Sequence, residues 1–67
     1  MVDIFEDDRS ITFSPIRNVD IEFYRFDDGT LSIESREEDK WDSQRVNVVI
    51  SATDATALKE FLIRRGY

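Results

Sequence analysis

The segment order predicts an α+β fold. A small antiparallel β-sheet of four to five strands, connected as a meander, carries one C-terminal helix packed across one face. Three observations predict it. Val19, Ile21 and Phe23 alternate with Asp20, Glu22 and Tyr24, the period-two pattern of a strand with one apolar face. Asp27-Asp28-Gly29 follows as a turn signal and leads into a second alternating run, Thr30-Leu31-Ser32-Ile33-Glu34-Ser35. After Ile50 the apolar spacing becomes helical, with Ala55, Leu58, Phe61 and Leu62 at i, i+3, i+6 and i+7. Strands followed by a helix make a two-layer pair. The chain has 67 residues, which accommodates one domain, 1–67, and no second.

Each element has its own signature. Val2 and Ile4 suggest a short first strand. Ile11 and Phe13 face one way in a strand over 10–13, which ends near Pro15 because proline cannot donate to a ladder and suits an edge or a strand end. The hairpin register depends on loop length. A two-residue loop, Asp28-Gly29, would set Phe23 opposite Glu34. A three-residue loop, 27–29, sets Phe23 opposite Ile33 and Ile21 opposite Ser35. Only the second unites Val19, Ile21, Phe23, Leu31 and Ile33 on one face. It implies a type I turn closed by a left-handed Gly29 as a G1 bulge. The strand 45–50 turns Val46, Val48 and Ile50 to the core. Ser51 is the candidate N-cap of a helix over 52–65, with Asp54 three residues on in the manner of a capping box. Arg64 and Arg65 suit the negative end of its dipole, and Gly66 is placed as the C′ glycine.

The expected core is Ile11, Phe13, Val19, Ile21, Phe23, Leu31, Ile33, Val46, Val48, Ile50, Leu58, Phe61 and Leu62. A domain of this size buries only ~60% of the surface its unfolded chain exposes, so its stability is marginal. One helix covers one sheet face. The other face carries Tyr24 and Phe26 with no evident intrachain cover, and this predicts a partner or a homodimer.

Composition removes most chemistry. Neither cysteine nor histidine occurs, which excludes disulfides, Cys/His zinc sites, thiol nucleophiles and imidazole bases. Two glycines cannot build a phosphate-cradling loop. The sequence predicts no enzyme, cofactor or metal. No apolar run approaches a membrane span, and the acidic N-terminal residues lack the form of a signal peptide, so a cytoplasmic protein is expected. Nine basic against fifteen acidic residues give a net charge of −6, which opposes phosphate-backbone binding. The charge is uneven: residues 1–45 hold 13 acids and 6 bases, net −7, and residues 46–67 hold 2 acids and 3 bases, net +1.

The acids form three clusters: Glu6-Asp7-Asp8, Asp27-Asp28 and Glu37-Glu38-Asp39. Adjacent acids on a strand diverge to opposite faces, so solvated charge and turn chemistry explain them better than a cation site does. Crowded carboxylates repel, which raises their pKa values and predicts stabilisation on mild acidification. Trp41 stands in the most polar stretch, 36–44, where it either folds back over the sheet or stands exposed as a binding anchor. The candidate interaction residues are therefore Tyr24, Phe26, Trp41, Glu37, Glu38 and Asp39. The leading expectation is a small acidic, non-enzymatic protein-interaction module. It would serve as an inhibitor or adaptor of the phage accessory type and present a negative surface to a basic protein partner. Alternatives are a dimeric single-strand nucleic-acid binder stacking bases on Tyr24 and Phe26, or a structural subunit of a larger assembly.

Overall fold

A computed structural model describes residues 3–39 and 41–67. The elements are β1 (Asp3–Glu6), β2 (Ser10–Ile16), β3 (Val19–Arg25), β4 (Leu31–Glu38), β5 (Ser43–Ile50) and α1 (Ala52–Arg64). The strands lie in the order β1-β2-β3-β4-β5, every neighbouring pair antiparallel. This is the expected α+β arrangement, a five-stranded meander followed by one C-terminal helix. Ile4 lies in β1, opposite Phe13; Val2 lies outside the described residues.

The β3–β4 hairpin has the register that the apolar pattern selects. Phe23 pairs with Ile33 and Ile21 with Ser35. The amide of Gly29 donates to the Phe26 carbonyl at 3.0 Å, and that of Phe26 donates to the Thr30 carbonyl at 2.9 Å. Gly29 has φ +89°, as a three-residue bulged loop requires. β2 ends near Pro15, as expected, although it is longer than 10–13. The strand runs through the proline to Ile16, and the register with β3 shifts between Phe13 and Ile16. Among the described residues β1 pairs with β2 from Ile11 to Ser14, so Pro15 lies at the strand's end, within the register shift, where a missing donor is tolerated. Asn18 holds φ 67° in the turn that follows, a conformation asparagine tolerates better than most residues.

α1 is capped at both ends. The Ser51 hydroxyl oxygen accepts from the Asp54 amide at 3.1 Å. At the other end, the Gly66 amide donates to Ile63 O and the Tyr67 amide to Leu62 O, a Schellman motif with Gly66 at φ +96°. The helix ends at Arg64, one residue short of the expected end, with Arg65 as its C-cap.

Cross-strand pairing sorts the side chains onto two faces. One is apolar and carries Ile4, Ile11, Phe13, Val19, Ile21, Phe23, Leu31, Ile33, Val46, Val48 and Ile50. The other is polar, with Thr12, Glu22, Glu34 and Asn47 in one row and Ser10, Tyr24, Ser32 and Val49 in another. The expected core is not sealed by this one chain. Among the described residues none is buried. Eight of the thirteen expected core positions are half-buried, and Val46, Val48, Leu58, Phe61 and Leu62 are exposed. The reason is where the helix sits. Only Ser51 separates β5, an edge strand, from α1. The helix approaches the apolar face at its own first turns, where Ala52, Ala55 and Thr56 meet Gly29, Leu31 and Arg25, and it packs along none of the strands. The chain is correspondingly extended. Its radius of gyration is 13.4 Å, against about 11 Å for a compact domain of this length.

Candidate functional site

In a meander, alternate turns gather at opposite ends of the sheet. The β1–β2 and β3–β4 turns meet at one end, where Arg9 pairs with Asp27 at 3.2 Å. The acids here shape the turns. Asp7 Oδ1 accepts from the amides of Arg9 and Ser10, at 2.9 and 2.8 Å, and from the Ser10 hydroxyl at 3.1 Å. Asp28 Oδ1 accepts from the Thr30 amide at 2.9 Å. Hydrogen bonds to the charged form hold both carboxyls below their ordinary pKa, the Arg9 amide being the main cause for Asp7 and the Thr30 amide for Asp28.

Glu37, Glu38, Asp39, Trp41 and Asp42 gather at the opposite end. Two backbone bonds close this tip. Asp39 N donates to Asp42 O at 2.8 Å, and Glu38 N donates to Asn18 O at 2.9 Å in the neighbouring turn. Glu37 pairs with Val19 and Gln44 on the apolar face, and Glu38 is its neighbour on the polar face, opposite Ser43. The two carboxylates thus flank the edge of the tip. With Arg36, Ser43, Gln44 and Arg45 they line an open groove. Trp41 is 87% exposed, so of the two placements the sequence allows, the outward one holds.

Tyr24 and Phe26 lie at the Asp7 end, far along the strands from Trp41. Their rings meet edge to face at 5.1 Å. Tyr24 is half-buried and Phe26 exposed. Their surroundings are mixed in charge, and Arg25 Nη1 donates to the Phe26 carbonyl at 3.4 Å. Tyr24 lines a groove with Asp7, Asp8 and Arg9, and Arg25 belongs to the opposite, apolar face, opposite Leu31.

A polar network crosses the middle of the Tyr24 face. Glu34 Oε1 accepts from Arg45 Nε at 2.9 Å and lies 3.9 Å from Arg36 Nε. Asn47 donates to the Ser32 hydroxyl at 2.8 Å, and Ser14 donates to Asp20 at 2.7 Å. Glu34 sits directly opposite Glu22, a repulsive placement that the two arginines offset. Sequence reading did not single out Glu34, Arg36 or Arg45. The signal was present in the register, since fixing Phe23 against Ile33 also fixes Glu22 against Glu34.

Among the described residues no three acidic side chains converge where a cation could be held. Among the described residues no helix is long and apolar enough to cross a membrane. No protein-family model, curated protein or solved structure matches the chain.

Proposed function

We propose that the protein is a non-enzymatic interaction module that docks the Trp41 tip onto a basic surface of another protein. The exposure of Trp41 among Glu37, Glu38, Asp39 and Asp42 carries this reading. An indole supplies a large contact area at little conformational cost, and tryptophan is enriched among residues that dominate binding energy. The surrounding carboxylates supply long-range attraction for a positive partner and accelerate encounter. Occlusion is the mode of action that fits such a surface: the tip covers a basic groove and excludes the anionic ligand that groove would hold. The adaptor and inhibitor roles share this first step and differ in what the partner then does.

The test is retention of host-cell proteins on the immobilised chain at low and then high salt, with Trp41→Ser and the pair Glu37→Gln, Glu38→Gln as comparators. The expected result is a basic protein retained at low salt, released at high salt and lost in both variants. Equal retention by the variants would remove the tip from the reading. Saturable binding of labelled single-stranded oligonucleotides at low salt would overturn it in favour of base stacking on Tyr24 and Phe26.

A further inference from the structure

We propose that a second copy of this chain completes the fold: the helix α1 of each copy lies on the apolar sheet face of the other, in a two-fold dimer. The first support is area. The chain exposes 5784 Å². A folded monomer of 7.9 kDa exposes about 4,400 Å². The excess, about 1,400 Å² per chain, falls within the ~1,000–2,500 Å² per partner of permanent dimers.

The second support is that the uncovered surfaces form a complementary pair. Val46 and Val48 on the sheet are 62% and 51% exposed, and Phe61 and Leu62 on the helix are 46% and 38% exposed. A helix stripe and a sheet face bury each other in a two-layer packing. Within one chain the start of α1 is fixed beside Gly29 and Leu31. A two-fold axis satisfies both surfaces with one operation, because residue i meets j and j meets i. A foreign partner would have to supply both a helix and a sheet face.

Charge supplies the third support. Residues 46–67 carry net +1 and residues 1–45 net −7. Exchanging helices brings Lys59, Arg64 and Arg65 of one copy towards the apolar face of the other, on which the acids Glu6 and Glu37 stand at the strand ends.

Sedimentation and native mass spectrometry of the full chain test this, with two variants, Phe61→Lys and Val48→Glu. The wild-type chain is expected to be dimeric, with a melting midpoint that rises with protein concentration. Each variant alone is expected to weaken dimerisation more than ~10-fold, as a charge placed in a buried contact does. Mixing the two is expected to restore a mixed dimer, since one of its two contacts is native and the other sets lysine against glutamate. The mixing readout holds even if each variant is unfolded alone, because the mixture then regains structure. A wild-type chain that stays monomeric at its highest soluble concentration overturns the dimer. Variants that dimerise like the wild type, or a mixture that restores nothing, overturn the helix-on-sheet exchange. None of these outcomes depends on Trp41, so the dimer and the docking tip stand or fall separately.

Discussion

Gly29 shows how much one residue decides. Its backbone is left-handed, and a Cβ built there would lie 3.0 Å from the Ala52 Cβ. The Gly29→Val substitution therefore meets two obstacles, a conformation that β-branched residues avoid and a clash with the first turn of α1. It is expected to destabilise by ~1–2 kcal/mol or more, read as a lower thermal or denaturant midpoint; an unchanged midpoint would refute the bulged turn. The turn was legible because only one loop length unites the apolar residues. The role of the neighbouring acids was only half legible. Crowding predicts raised pKa values, yet Asp7 and Asp28 are lowered because their oxygens accept backbone amides. A carboxyl held below its unfolded value adds stability above that value and loses it as pH falls through the folded one. These two groups therefore contribute fully between pH 7 and 5, and their contribution fades as pH falls past the unfolded value and is gone only below the lowered folded one. Asp7→Asn is expected to have a flatter midpoint between pH 5 and 2 than the parent. A parent whose midpoint rises as pH falls from 5 to 2 would contradict this.

Caps and registers are properties of elements, and most were legible. The Ser51 cap follows from a short polar side chain placed just before helical spacing begins, and the Schellman end from Gly66. Ser51→Ala removes the acceptor for the Asp54 amide and is expected to cost ~1 kcal/mol, measured by denaturant unfolding. No change in midpoint would show that the cap is replaced by solvent without loss. Pro15 was legible as a strand end from its missing donor, and β2 ends one residue beyond it. The register shift between Phe13 and Ile16 was not legible, because it depends on how β2 meets β3. The site residues divide the same way. The Tyr24–Phe26 pairing follows from strand alternation, whereas Trp41 stands in a loop with no periodicity to orient it.

At the scale of the whole molecule, the sequence identifies the two layers but not how they close. Alternation assigns Val46, Val48, Phe61 and Leu62 to apolar surfaces. It does not say that a helix starting one residue beyond an edge strand leaves those surfaces uncovered. The two proposed contacts on this small molecule respond oppositely to solvent. The proposed tip contact acts through exposed carboxylates, whose attraction is screened over ~8 Å at physiological ionic strength. The sheet–helix contact is apolar, and sulfate strengthens burial of that kind. Raising sodium sulfate is expected to release a basic partner while the dimer mass persists and its melting midpoint rises, followed by native-state sedimentation and calorimetry on the same samples. Tyr24 and Phe26 are assigned to neither proposed contact, because Tyr24 lies on the polar face opposite Ser32 with the Phe26 ring against it. Tyr24→Ser with Phe26→Ser is therefore expected to lose the edge-to-face pair, costing about 0.5–1.5 kcal/mol beyond the lost burial. It should leave both the dimer and partner retention in place. A double variant that is folded but monomeric would move the dimer interface to the polar face and require the helix exchange to be abandoned.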